Sequence, residues 1–183
     1  GENRLELLTF RLSGSQLFAI NVFKIQEVVK VPVLTAMPYS HPVVCGVTQL
    51  RNQVISVIDL SAAIGGAPLR DNHDDCDMIV SEYNSSVQAF IVGGVDRIIN
   101  INWEDVMPPP KGTGRGAYLT AVTQIEDELV EIIDVERILA DIMPTNMDVS
   151  DDVANAPINV AKEDLTILIT DDSSVARNQI KRA

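Results

Sequence analysis

The chain contains an internal repeat, and this repeat limits the possible folds more than any other feature. Residues 46–60 read GVTQLRNQVISVIDL, and residues 121–135 read AVTQIEDELVEIIDV. The identical pairs are Val47 and Val122, Thr48 and Thr123, Gln49 and Gln124, Ile58 and Ile133, and Asp59 and Asp134. Apolar residues meet apolar residues at most other positions, whereas Arg51 meets Glu126. The repeat predicts two copies of one structural unit.

The segments before the two copies also match each other. Each reads as strand, turn and strand, with the first turn at Ser13-Gly14 and the second at Asn84-Ser85-Ser86. Further along, Met37-Pro38 corresponds to Met107-Pro108. A unit of roughly 65 to 75 residues with short strands is too long for a solenoid repeat and suits a small barrel or sandwich. We therefore predict an all-β fold with two similar subdomains.

Local signals place the turns, helices and linker of each unit. Tight turns are predicted at Arg51-Asn52 and Glu126-Asp127, because Asn and Asp tolerate the left-handed backbone of a tight hairpin. The strands VISVIDL and LVEIIDV are apolar on both faces, so we expect them to be central. Each unit ends in a short helix, over SAAIG and over ERILADIM. The segment GGAPLRDNHDDCD between the units is predicted to be an exposed linker.

Composition and charge argue against several classes of function. With 26 acidic and 14 basic residues the net charge is -12, so the surface would repel phosphate backbones and nucleic acid is not an expected partner. No apolar run is long enough for membrane insertion. Cys45 and Cys76 lack the spacing of a zinc site or a disulfide scaffold, so we expect reduced thiols in the cytoplasm. His41 and His73 lack the neighbours that a catalytic triad or a metal site needs, so we expect no enzyme activity.

Four segments, in order, carry a resemblance to a known family. They read FAINVFKIQEVV, then CGVTQLRNQVISVIDL, then VGGVDRIIN before MPPP, then EIIDVERIL. Together they resemble the signature segments of the CheW-like chemotaxis coupling domain, from about Leu5 to Ile142. The resemblance implies two five-stranded SH3-like barrels side by side within residues 1–143. It also implies an adaptor without a reaction of its own, located in the cytoplasm at membrane-associated chemoreceptor arrays.

The resemblance also implies partners and contact residues. The partners would be the cytoplasmic tips of chemoreceptors and the regulatory domain of the chemotaxis histidine kinase. Ile25 and Glu27 match the family segment that lines the receptor groove, and Arg51 matches the Arg of the family's Asn-Leu-Arg-Gly motif. This chain has Gln49 and Asn52 at the outer positions of that motif, so it departs from the family there. In the alternative interpretation, Ile25 belongs to the core and the two charged residues are merely solvated.

The remaining sequence predicts an addition to the coupling domain. Residues 144–163 are polar and acidic, which indicates a linker. Residues 164–183 contain an apolar run, Asp171-Asp172 and a possible helix start, which resemble the first strand, acid pair and first helix of a truncated α/β receiver domain. A coupling domain joined to a receiver is typical of the CheV family, in which phosphorylation of the receiver would tune coupling. The alternative is the C-terminal regulatory part of a hybrid chemotaxis histidine kinase.

Asp171 and Asp172 are not expected to bind a metal in this chain. A complete receiver would use such a pair for Mg²⁺, whereas the phosphoacceptor Asp and conserved Lys that lie downstream are absent here, so we expect no cofactor. A lone strand and helix cannot cover their own apolar faces, so an ordered tail would be held by packing between molecules. Titration with Mg²⁺ and a small phosphodonor should show neither saturable millimolar binding nor phosphate incorporation. A stable phosphorylated species would contradict this interpretation.

Overall fold

A computed structural model describes residues 3–71, 73–112 and 118–142, and strands make up most of these ranges. The strands are β1 Arg4–Arg11, β2 Leu17–Asn21, β3 Ile25–Lys30, β4 Val44–Leu50, β5 Gln53–Asp59, β6 Asp77–Tyr83, β7 Ser86–Val92, β8 Gly94–Asn102, β9 Leu119–Ile125 and β10 Glu128–Ile133. The helices are α1 Leu60–Ala63 and α2 Val135–Ile142, with 3₁₀ turns at Val22–Lys24 and Trp103–Asp105. Among the described helices, none has the length and apolar character needed to cross a membrane.

The strands form two five-stranded sheets, and each sheet closes into a small barrel. The first barrel has the strand order β8-β1-β2-β10-β9, and the second has the order β3-β6-β7-β5-β4. In the second barrel the chain beyond β3 returns to β4, where Thr35 and Val47 exchange backbone hydrogen bonds of 2.9 and 2.8 Å. Met107 and Val122 close the first barrel in the same way. The predicted pair of similar barrels is therefore confirmed.

Neither barrel is a single copy of the repeat. The first barrel combines β1 and β2 of the first copy with β8, β9 and β10 of the second copy, and the second barrel has the reverse composition. The copies meet through two parallel pairs, β2 with β10 and β5 with β7, and through the antiparallel pairs β1 with β8 and β3 with β6. Because each copy gives strands to both barrels, neither sheet can be completed by one copy alone.

Three apolar clusters hold this arrangement together. Each barrel has its own interior, which includes Leu7 and Ile132 in the first and Val57 and Ile91 in the second. A larger central core lies between the barrels. The fully or largely buried members of this core are Leu8, Phe10, Leu12, Phe18, Ile20, Ile58, Leu60, Ile79, Phe90, Val92, Ile133, Val135, Ile138 and Leu139. Burying each such side chain stabilises the fold by about 1.5–3 kcal/mol, so the central core contributes substantially to joining the two barrels.

The structure explains why Asp59 and Asp134 recur in the repeat. Asp59 Oδ1 accepts a 3.1 Å hydrogen bond from the Ala62 amide and caps α1. Asp134 Oδ1 accepts bonds of 3.1 and 3.3 Å from the amides of Glu136 and Arg137 at the start of α2. A carboxylate at this position satisfies amides that have no partner inside a helix, which contributes about 1 kcal/mol.

The predicted turns and central strands are confirmed, whereas the linker prediction is partly wrong. Both central residues of the β4–β5 and β9–β10 turns have positive φ angles, at 49° and 65° and at 50° and 66°. Strands β5 and β10 each lie between two neighbours. Within the predicted exposed linker, however, Cys76 is buried and Leu69 packs against two apolar clusters. The predicted linker 144–163, the receiver start and Asp171-Asp172 lie outside the described residues.

Gly93 lies where the chain leaves β7 of the second barrel and enters β8 of the first. Its amide donates a 2.7 Å hydrogen bond to the Arg11 carbonyl, and an added Cβ would overlap the backbone carbonyl of Leu12. We expect Gly93→Ala to lower the free energy of unfolding by about 1–3 kcal/mol or more, because backbone atoms cannot move aside cheaply. Gly14→Ala is the matched control, because a Cβ at Gly14 meets no atom within 4 Å. Urea unfolding that finds the two variants equally stable would contradict this account.

Candidate partner-binding surface

A strand bulge and a tight turn bring Glu27 and Arg51 together on the second barrel. The register of β3 against β6 shifts between Ile25 and Glu27, and such bulges redirect side chains. Arg51 occupies the first central position of the β4–β5 turn, and its Nη2 forms an ion pair with Glu27 Oε2. The Arg51 side chain is 72% exposed, whereas that of Glu27 is 20% exposed. The guanidinium is therefore accessible to a partner, and the carboxylate beneath it holds it in place.

Ile25 lies on the same strand but in a different environment. Its side chain is half-buried and packs against the central core. Of the three predicted contact residues, the structure joins Glu27 and Arg51 directly and places Ile25 two residues from Glu27, in contact with the central core. Its role in binding stays a prediction.

The first barrel carries the same ion pair with its charges exchanged. Arg97 corresponds to Glu27 in the repeat, Glu126 corresponds to Arg51, and Arg97 Nη2 lies 3.3 Å from Glu126 Oε2. A bulge lies here too, and the buried Thr9 hydroxyl fills it. This hydroxyl donates a 2.8 Å bond to the Arg97 carbonyl and accepts a 3.1 Å bond from the Arg97 amide. The two barrels thus present opposite charges from equivalent backbone positions.

Exposed apolar side chains also occur at equivalent positions in the two barrels. Val28 on β3 corresponds to Ile98 on β8, and Val54 on β5 corresponds to Leu129 on β10. Val28 directly follows Glu27, and Val54 lies three residues after Arg51. Exposed apolar side chains beside a charged group favour protein contact. Sequence reasoning missed Val54 and Leu129 because it assigned both faces of their strands to the interior.

A second feature missed by sequence reasoning is an apolar cleft of about 490 Å³ in the first barrel. Ile132, Val135 and Trp103 line it, and an ion pair between Lys24 and Glu136 lies at its polar side. The sequence signal in this region is the repeated segment around Asp134, and that segment predicts a strand and a helix but not a cleft between them. The volume is within the range of ordinary ligand sites.

Neither thiol of the protein is suited to nucleophilic chemistry. Burial, reinforced by the Asp59 carboxylate, raises the pKa of Cys45 to about 11. Burial also raises the pKa of Cys76, and burial together with a hydrogen bond to Asp141 raises the pKa of Tyr118. A thiol that stays protonated at neutral pH is a poor nucleophile and metal ligand. Within residues 3–71, 73–112 and 118–142, no cluster of three or more His, Cys, Asp or Glu could hold a metal ion.

Comparison with known proteins gives one family match and several relatives. The model of the CheW-like domain family matches residues 6–143. Chemotaxis protein CheV3 of Helicobacter pylori is 32% identical over 192 residues, which cover 98% of this chain and 60% of that protein. Chemotaxis protein CheV2 of the same organism is 27% identical, covering 98% of this chain and 62% of that protein. The chain thus spans about three fifths of the length of these two relatives.

Shorter relatives and a solved structure match the described part of the chain. The probable chemotaxis protein CheW of Rhizobium etli is 28% identical over 138 residues, covering 74% of this chain and 88% of that protein. The crystal structure of the scaffolding protein TtCheW from Thermoanaerobacter tengcongensis superposes with a TM-score of 0.68 at 26% identity. That likeness covers 74% of this chain and 92% of the TtCheW chain.

The ion pairs Glu27–Arg51 and Arg97–Glu126 should orient their side chains more than they stabilise the fold. One double-mutant cycle combines Glu27→Ala with Arg51→Ala, and the other combines Arg97→Ala with Glu126→Ala. We expect each cycle to give a coupling energy of about 0.2–1 kcal/mol, because three of the four charged groups are substantially exposed. Both couplings should shrink in 1 M salt, which screens exposed charges beyond roughly 3 Å. Chemical unfolding measures each cycle, and a coupling indistinguishable from zero in low salt would contradict the pairing.

Proposed function

Because the chain belongs to the CheW-like domain family, we propose that it is a chemotaxis coupling protein, an adaptor that joins chemoreceptor tips to the regulatory domain of the chemotaxis histidine kinase. The names of its relatives support this proposal, since these relatives are chemotaxis proteins and the similar solved structure is that of a scaffolding protein. An adaptor acts by holding partners in register and has no reaction of its own. The protein would be located at the cytoplasmic side of chemoreceptor arrays.

The observation that carries the proposal is the exposed face around Arg51. The β4–β5 turn positions Arg51, Glu27 forms an ion pair with its guanidinium, and the exposed apolar residues Val28 and Val54 lie nearby in sequence. This combination of one accessible Arg and apolar neighbours is typical of residues that dominate a protein interface. We assign Ile25, Glu27 and Arg51 to receptor or kinase binding on this basis and on their match to the family segments.

We further propose that residues 164–183 begin a receiver domain. The alignments with the two CheV relatives cover 98% of this chain, whereas the family match ends at residue 143. The likeness to these relatives therefore extends through the region that contains Asp171 and Asp172. In a complete receiver this acid pair would hold Mg²⁺, and phosphorylation would tune the coupling between receptor and kinase.

Replacing Arg51 tests the adaptor proposal directly. We expect Arg51→Ala to weaken association with a chemoreceptor tip or with the kinase regulatory domain by about 1–3 kcal/mol, because a guanidinium in a desolvated contact loses its partner. The free energy of unfolding should change little. Isothermal titration calorimetry with each purified partner measures the effect. Arg97→Ala is the matched control, since Arg97 forms the equivalent ion pair in the other barrel.

Two outcomes would contradict parts of this proposal. If Arg51→Ala and the parent protein bind both partners equally, Arg51 does not belong to the contact. If the parent protein binds neither partner, the adaptor function itself is wrong.

A further inference from the structure

The apolar cleft of the first barrel has a counterpart in the second barrel, and the two differ in the segments that line them. Three residues around the first cleft, Trp103, Val106 and Thr120, correspond to Val33, Ala36 and Cys45. In the second barrel these three residues share a cavity with Arg70, Asp71 and His73, which belong to the segment after α1. A segment of the chain itself therefore forms one wall of the counterpart, which keeps a volume of about 530 Å³.

Asp59 holds that segment through its second carboxylate oxygen. Asp59 Oδ2 accepts hydrogen bonds of 2.6 and 3.1 Å from the amides of Leu69 and Arg70. The Leu69 side chain packs against both the central core and the interior of the second barrel. One carboxylate thus performs two tasks: Oδ1 caps α1, and Oδ2 anchors an extended segment that carries a leucine.

Asp134 is the equivalent carboxylate of the first barrel, and the described residues donate hydrogen bonds to one of its two oxygens. Oδ1 caps α2, whereas none of the described residues donates a hydrogen bond to Oδ2. Asp134 lines the open cleft together with Ile132, Val135 and Trp103. The cleft thus combines apolar walls with a carboxylate oxygen that has no hydrogen-bond donor among the described residues. A carboxylate oxygen and apolar contacts are also the two features that hold Leu69 and Arg70 in the other barrel.

We propose that this cleft binds an extended peptide segment of another protein, with a leucine-sized side chain followed by a basic residue. The leucine enters the apolar cleft, and the two successive backbone amides donate hydrogen bonds to Asp134 Oδ2. The basic residue suits the charge of the described lining, in which Asp134 and Glu136 supply two carboxylates and Lys24, the single cation of that lining, pairs with Glu136. The site is separate from the Arg51 face, which lies on the second barrel.

The protein supplies both the probe and the reporter for a test. The acetylated and amidated hexapeptide Gly-Ala-Pro-Leu-Arg-Asp copies residues 66–71, the segment that Asp59 anchors in the second barrel. Trp103 is the single tryptophan and lines the cleft, so its emission reports occupancy of the first barrel. We expect saturable binding with a dissociation constant of about 0.1–5 mM, since a short flexible peptide loses much entropy on binding. Binding should shift the emission to shorter wavelength.

Two matched changes separate the proposed contacts. Asp134→Asn keeps an oxygen to cap α2 and replaces the second oxygen with an amide donor, so binding should weaken about fivefold or more. Asp127→Asn makes the same charge change in the β9–β10 turn, outside the cleft, and should leave binding unchanged. On the peptide, N-methylation of the leucine removes one amide donor and should weaken binding without altering the protein.

The highest dissociation constant expected is about 5 mM, so the peptide is added to a concentration about 10-fold above that value. The proposal is overturned if the Trp103 emission and the amide NMR shifts of Thr120, Ala121 and Glu136 do not change over this range. It is also overturned if a peptide with glycine in place of leucine binds equally well. If Asp134→Asn does not fold, the N-methylated peptide provides the same comparison on the parent protein. Because no chemoreceptor or kinase is present, failure here leaves the adaptor proposal standing.

Discussion

The central core between the barrels is the constraint on which the rest of the structure depends. Strands that border it must be apolar on both faces, because one face fills a barrel and the other fills the core. Successive residues on one strand therefore face different apolar clusters. Leu7 and Ile132 lie inside the first barrel, whereas Leu8 and Ile133 lie in the central core. Removing one barrel would expose both the core face and the unpaired strands contributed by the other copy.

Strand exchange explains which parts of the repeat are retained. Val47 and Val122 close the barrels through backbone hydrogen bonds, Ile58 and Ile133 enter the central core, and Asp59 and Asp134 cap the helices. These three pairs of identical residues therefore serve closure, packing and capping, which both barrels must perform in the same way. Gln49 and Gln124 are exposed, and nothing in the structure explains their identity.

Local chemistry made much of the fold predictable from the sequence. The repeat predicted two similar barrels, and turn residues that tolerate positive φ angles marked both hairpins. The exchange of strands between copies could not be predicted, because the same pairings can form within one copy or between two. The linker prediction failed at Leu69 because its surroundings read as polar, and the partner that holds it, Asp59, lies ten residues earlier. For the candidate surface, sequence suggested Glu27 and Arg51, whereas their contact required the bulge and the turn together.

The two barrels share their backbone arrangement and differ in side chains at equivalent surface positions. The ion pair of Glu27 with Arg51 is reversed in Arg97 with Glu126, so the same turn exposes a cation on one barrel and an anion on the other. A charged group that is attracted to one turn is repelled by the other, so the two equivalent turns differ in the charge that they favour. The carboxylates of Asp59 and Asp134 differ in a related way, since Asp59 anchors the segment that carries Leu69 and Asp134 borders the cleft of the first barrel. The repeat therefore gives both barrels the same backbone arrangement, and the differences in charge and in the lining segments give them surfaces of different chemical character.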